Sequence, residues 1–187
     1  MIVSFSYDFI SAGIALDIDP EFETIFRHLS KKDSNTKLKA LQDFVELSQQ
    51  KDAKTLEKTF NYWQRVYRKL SNSTDSKIRL EAHLTHKSFI EKLNRETLLK
   101  SYQVRSEDVS ASQVSFQKLV TLPAVLWTAC YEQSTQSAEA SRQILNFLYP
   151  SQEEKLQFLI DNYLSILNYT VYTLFQKIPV DLFYSTP

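Results

Sequence analysis

Apolar residues recur every three or four positions in successive blocks along this chain, and polar turn residues separate the blocks. That spacing gathers them on one face of a helix. The first block carries Phe22, Ile25, Phe26 and Leu29, and opens on Asp19-Pro20 with Glu21 and Glu23 just behind. An aspartate, a proline at the first helical position and early carboxylates together mark a helix start. Asp33 or Ser34 caps a second helix with the stripe Leu38, Leu41 and Val45, and Phe44 beside it. Asp52 opens a third, carrying Leu56, Phe60, Trp63, Val66, Tyr67 and Leu70. After a Ser71–Asp75 turn, a fourth carries Ile78, Leu84, Phe89 and Leu93. The polar, serine-rich stretch at 101–118 reads as a loop or insertion. Helical spacing resumes over 116–131, with Pro123 as a break or a new start, and again over 137–148, where Tyr149-Pro150 stops it. Ser151-Gln152-Glu153-Glu154 is a capping box that opens a long final helix.

Composition narrows the function classes. Gly13 is the single glycine among 187 residues. A dinucleotide fingerprint or a phosphate-cradling loop needs several glycines, so the chain can hold neither. It also lacks the Asn-Gly and Asp-Gly turns of tight hairpins. Apolar residues at 43% and charged residues at 24% describe a globular chain with a sizeable core. The net charge is zero, but residues 27–105 hold 18 Lys+Arg against 9 Asp+Glu, and the remainder holds 4 against 13. A basic middle suits an acidic partner such as RNA; ordinary solvated helix faces are the plainer explanation. Cys130 is the only cysteine, so no disulfide forms within the chain, and a cytosolic or nuclear compartment is expected. Residues 1–18 lack the basic start of a signal peptide and read as an extended or disordered arm. Asp161, Asn162 and Asn168 interrupt the apolar run at 156–175, which fits a buried helix better than a membrane span.

The blocks repeat. Leu29 through Asp33 and then Lys37-Leu38-Lys39 recur as Leu70 through Asp75 and then Lys77-Ile78-Arg79, 40 to 42 residues later. That period is similar to HEAT and armadillo repeats, each built on antiparallel helices. Asp75 followed by Ile78-Arg79 resembles the HEAT inter-helix turn, in which the aspartate caps the second helix and the arginine lies along its exposed side. Ser134-Thr135-Gln136-Ser137 echoes Ser73-Thr74-Asp75-Ser76 loosely, at an offset lengthened by the 101–118 segment. The expected fold is an all-α, HEAT/armadillo-like helical-repeat solenoid of antiparallel helix pairs over 19–187.

No catalytic set stands out. His83 and His86 sit three residues apart on a helix and could share a metal, but no cysteine is near and Glu91 lies on another part of the surface. A Cys/His nucleophile pair needs an exposed thiol in an electropositive setting, whereas Cys130 sits in apolar Leu126-Trp127-Thr128-Ala129-Cys130. The aromatic residues fall at helical spacing and read as core. No catalytic residue, no metal ligand and no cofactor of the chain's own is expected.

The segment Leu29-Ser30-Lys31-Lys32-Asp33-Ser34-Asn35-Thr36-Lys37-Leu38-Lys39-Ala40-Leu41-Gln42-Asp43-Phe44 resembles the first repeat of listerin, the RING-type E3 ubiquitin ligase of ribosome-associated quality control. Tyr62-Trp63 with Arg65-Val66-Tyr67 and Lys69-Leu70, and Ile78-Arg79 followed by Ala82, are similar to the family's next segments. Leu122-Pro123, Trp127, Pro150 and Lys155 match more loosely, so the resemblance is specific over 19–93. It implies the N-terminal part of a much longer cytoplasmic protein whose RING, and the zinc it holds, lie elsewhere. It further implies a monomeric docking domain without chemistry, membrane contact or small-molecule ligand. Its partners would be large ribosomal subunits retaining tRNA-linked nascent chains, through rRNA or ribosomal protein, and the factor that senses the exposed tRNA.

Equivalent turns of stacked repeats share one edge. Lys31, Lys32, Lys37 and Lys39 cluster at the first inter-helix turn with Asp33 and Thr36; Arg68, Lys69, Lys77 and Arg79 cluster at the second. These are the candidate binding residues, as one cationic rim facing phosphate or acidic protein. The competing role for Arg79 is to shape its own turn. The rival function is a generic helical-repeat adaptor that holds a protein partner in an apolar groove, using the exposed face of 156–184.

Overall fold

A computed structural model describes residues 18–102 and 121–177. Among these residues every regular element is a helix. The first four are α1 (Pro20–Leu29), α2 (Ser34–Gln50), α3 (Ala53–Leu70) and α4 (Ser76–Ile90). Then follow α5 (Arg95–Ser101), α6 (Leu122–Ala129), α7 (Thr135–Leu148) and α8 (Gln152–Lys177). The chain divides into two compact units, 1–93 and 94–187. Residues 1–17, 103–120 and 178–187 are outside the described residues, and with them the expectations of an N-terminal arm and of a polar insertion after Tyr102.

The first unit is two helical hairpins laid side by side. α1 packs on α2 and α3 on α4 within each hairpin; α1 meets α3 and α2 meets α4 between hairpins. Each start is fixed by an aspartate whose carboxylate satisfies a backbone N–H that has no partner inside the helix. Asp19 accepts from Glu21, Asp33 from Thr36, Asp52 from Thr55 and Asp75 from Lys77. The Lys51 ammonium, just past α2, donates to Asp19 at 2.7 Å and to Glu21, tying the end of α2 to the start of α1. That closure sets the two helices antiparallel.

Phe44 is the centre of this unit. Its ring, fully buried, lies 4.4 Å from Trp63 in a stacked arrangement, and within 6 Å of Phe22, Phe26 and Phe89. One side chain of α2 therefore joins rings from α1, α3 and α4. Offset and edge-on aromatic pairs add about 0.5–1.5 kcal/mol each beyond the burial of their surface. Leu38, Val45 and Val66, expected in the core stripes, are only half-buried.

α4 departs from the expected stripe. Leu84 is 43% exposed, and His83 and His86 take the buried face with Ile78, Ala82 and Phe89. His86 Nδ1 accepts from Trp63 Nε1 at 2.8 Å, and its ring stacks on Tyr67 at 3.9 Å. His83 Nδ1 and the Tyr67 hydroxyl are 2.9 Å apart. The pattern failed here because two histidines took the interior in place of a leucine: indole and phenol pair one ring nitrogen of each, and His83 Nε2 is left buried without a partner.

The second unit packs α6 against α7 and α8, and α5 against α7. Pro123 lies in the first turn of α6 and is a start, not a break. The expected capping box forms: Ser151 Oγ accepts from Glu154 N at 3.0 Å, and Glu154 accepts from Ser151 N at 3.1 Å. Arg95 holds the end of α7 by donating to the Leu148 carbonyl, at 2.7 Å from Nη2, and pairs with Glu154 at 2.6 Å.

Candidate functional site

The two inter-helix turns of the first unit, one in each hairpin, lie beside one another. In the first, the Asp33 carboxylate accepts from Thr36 N and from Thr36 Oγ1, both at 2.6 Å. These bonds, the hydroxyl's first and the backbone's second, hold the Asp33 carboxyl below its ordinary pKa, with a smaller pull from Lys37. In the second turn the Asp75 carboxyl is also held low, chiefly by the neighbouring Ser34 side chain and then by the backbone N–H of Lys77. Ser34 is the first residue of α2, and Asp75 caps α4. α2 packs along α4, and Ser34 at the start of one lies near the Asp75 cap of the other.

This adjacency sorts the candidate residues. Lys31, Lys32, Lys39, Lys69 and Lys77 are exposed and Lys37 is half-buried; none of the six has an ion-pair partner among the described residues. Asp33 and Thr36 are spent on each other as the cap of α2. Arg79 is half-buried, and its Nη1 donates to the carbonyls of Ser73 at 2.8 Å and Thr74 at 3.2 Å. It braces the second turn and does not lie along an exposed side. Arg68 is half-buried too; its Nε donates to the Gln64 carbonyl at 3.3 Å, and burial, with Arg65 nearby, lowers its pKa. The outward-facing cations of the edge are therefore the six lysines. Lysine presents a hydrated point charge, suited to phosphate oxygens without demanding a fixed fork geometry.

Ser34 was missed as a site residue because a serine beside an aspartate reads as a second-choice cap. Its counterpart Ser76, directly after Asp75, was the available signal: the same Asp-Ser pair opens both helices.

His83 and His86 hold no metal site with a third ligand, since no group of three His, Cys, Asp or Glu side chains gathers among the described residues. Burial pushes the His83 imidazole down to about 4, with a smaller effect of Arg79, and pushes His86 well below its ordinary value. Cys130 is buried, and desolvation raises its thiol to about 11 against a weaker opposing pull from Arg142. No described helix is long and apolar enough to cross a membrane.

Stacked helical hairpins, with capped turns along a lysine-bearing edge, define an all-α helical-repeat type of domain. Residues 16–102 match the family model described as "E3 ubiquitin-protein ligase listerin, N-terminal domain". Among similar curated proteins, the E3 ubiquitin-protein ligase listerin of Gallus gallus is 32% identical over 78 residues, 42% of this chain. Those of Mus musculus and Drosophila melanogaster are 37% and 39% identical over 62 residues, 33% of this chain. The matched stretch spans 4% of the length of each relative. No solved structure matches.

Proposed function

We propose that this chain is the docking end of a listerin-type ubiquitin ligase. Its lysine edge engages stalled large ribosomal subunits that retain tRNA-linked nascent chains, and ubiquitin transfer is left to a RING elsewhere in a longer protein. The supporting observation is the packing of α2 on α4, with Ser34 close to Asp75, which brings the Lys31–Lys37 turn beside the Lys69–Lys77 turn inside the listerin-matched segment. Six ammonium groups with no ion pair among the described residues favour a polyanion, and displacing counterions from it supplies the binding free energy. rRNA is the phosphate source this chemistry fits best; acidic ribosomal protein and the tRNA-sensing quality-control factor are the alternative contacts along the same edge. In this reading the chain acts in the cytoplasm, as a monomer, without a cofactor, membrane contact or small-molecule ligand of its own.

The test is co-sedimentation with large subunits carrying tRNA-linked nascent chains. Lys31→Glu/Lys32→Glu/Lys37→Glu is expected to abolish pelleting while the helical circular dichroism signal is retained. Unchanged pelleting would remove this edge from the interface. In a ubiquitin-transfer assay with activating and conjugating enzymes, the chain alone is expected to transfer nothing.

A further inference from the structure

Three basic-x-x-serine sequences occur in the chain: Arg27 to Ser30, Lys31 to Ser34 and Arg68 to Ser71. Cations two and three residues ahead of a serine are what a basophilic protein kinase reads, through acidic pockets beside its substrate groove. Lys31-Lys32 and Arg68-Lys69 fill both positions, so by sequence Ser71 is as good an acceptor as Ser34. The structure separates the three. Ser30 Oγ donates to the Phe26 carbonyl at 3.1 Å and Ser71 Oγ to the Tyr67 carbonyl at 2.8 Å, each at the end of its helix. Their cations are built into those helices: Arg27 pairs with Glu23 at 2.6 Å, and half-buried Arg68 reaches back to the Gln64 carbonyl. Lys31 and Lys32 instead stand exposed in the turn before α2, and neither has an ion-pair partner among the described residues.

Ser34 is half-buried, opens α2 and lies near the Asp75 carboxylate of the neighbouring turn. Residues 30–33 are already outside the helices, so only the first turn of α2 has to open for this segment to lie extended in a kinase groove. Helix ends fray at small cost. A phosphate on Ser34 would add about −1.5 to −2 of charge at pH 7. On one side it meets the backbone N–H groups at the start of α2, Lys37 three residues on, and Lys31 and Lys32 in the same turn, all of which favour it. On the other side it faces Asp75, a like charge that it repels. One group therefore draws in the lysines of the first turn and presses against the cap of the second.

We propose that Ser34 is the acceptor site of a basophilic protein kinase, and that its phosphate switches the lysine edge off. In the transfer, the bond from Ser34 Oγ to the γ-phosphorus of ATP forms as the bond from that phosphorus to the bridging oxygen of ADP breaks, and the kinase's base takes the hydroxyl proton. A doubly charged phosphate cancels two of the edge lysines. At 0.7–0.9 of slope per phosphate contact, two lost contacts weaken binding to a polyanion roughly 10–30-fold at about 0.15 M salt. The acceptor assignment stands on the turn alone; the effect on ribosomal subunits rests on the docking reading.

The test treats the full chain with ATP and the catalytic subunit of cAMP-dependent protein kinase, a basophilic enzyme, and locates the modified residues by mass spectrometry. Ser34 is expected to be the principal site, and Lys31→Gln/Lys32→Gln to slow its modification about tenfold or more. A synthetic peptide of residues 65–75 should be phosphorylated at Ser71 by the same enzyme, while Ser71 in the folded chain is spared. Salt elution from immobilised heparin reads the charge effect without a ribosome. The phosphorylated chain should leave at lower salt, and kinase treatment of Ser34→Ala should not shift its elution. Modification of Ser30 or Ser71 ahead of Ser34, indifference to the lysine substitutions, or unchanged heparin elution after phosphorylation at Ser34 would overturn the proposal. Earlier elution from heparin with unchanged affinity for stalled large subunits would leave it standing and count against ribosome docking at this edge.

Discussion

Acid should unfold the first unit through its buried histidines well before its carboxylates titrate. His83 and His86 are fully buried, and the Nε2 atom of His83 has no hydrogen-bond partner in its surroundings. A proton added there would place an unsolvated charge beside Arg79. The folded-state pKa of His83 is lowered from 6.5 to about 4, so its contribution to stability is complete above pH 6.5 and is lost as pH falls towards 4. Through that window the unfolded chain binds one more proton than the folded one, which costs about 1.4 kcal/mol per pH unit. At pH 5 the loss from His83 is about 2 kcal/mol. His86, shifted in the same direction by complete burial and by His83, steepens the slope. The lowered carboxyls of Asp19, Asp33, Asp52 and Asp75 act only below about pH 4, leaving the window from 6.5 to 5 to the histidines. Urea titrations monitored by fluorescence in a Trp127→Phe background, where Trp63 is the remaining indole, measure the effect. The unfolding free energy should fall by at least 2 kcal/mol between pH 7 and 5, and His83→Gln/His86→Gln should flatten the dependence whatever it does at pH 7. A flat wild-type profile would refute the assignment of these histidines as neutral core groups.

Phe44→Ala removes the ring shared by four helices and should cost about 4 kcal/mol, read as a large drop in urea midpoint; a loss below about 1 kcal/mol would mean the aromatic cluster is not the core. Arg79→Lys keeps the charge but breaks the brace on the Ser73 and Thr74 carbonyls, and should cost about 1 kcal/mol of stability while leaving subunit binding unchanged. Cys130, with its thiol raised to about 11, should resist iodoacetamide at pH 8 in the folded chain and react promptly in urea; fast native labelling would contradict its burial.

Helix starts were the most legible feature of the sequence, because capping is local chemistry. Asp19, Asp33, Asp52, Asp75 and Ser151 each close on a backbone N–H within three residues. α5 was not legible: seven residues make too short a run for helical periodicity to show. The α4 face was misjudged at Leu84 because hydropathy alone ranks leucine above histidine, and only the tertiary fold brings Trp63 and Tyr67 to the imidazoles. At the site, clustering of the lysines followed from the repeat and the turn-shaping role of Arg79 was one of the two roles it offered, but the choice between them, and the role of Arg68, did not follow. An arginine near a turn can face solvent or reach back to backbone carbonyls, and that choice depends on the path of the chain through Gln64 and Ser73-Thr74. The closeness of Ser34 to Asp75 joins residues 41 positions apart and becomes visible only once the hairpins are stacked.

The most direct test of the lysine edge is the salt dependence of affinity for stalled large subunits. Binding should weaken linearly in log Kd against log salt, with about 0.7–0.9 of slope for each phosphate contact. Replacing Lys32 and Lys77 by Gln, one lysine from each turn, should lower the slope by about two contacts' worth. An affinity indifferent to salt, or a slope untouched by the two substitutions, would contradict the account.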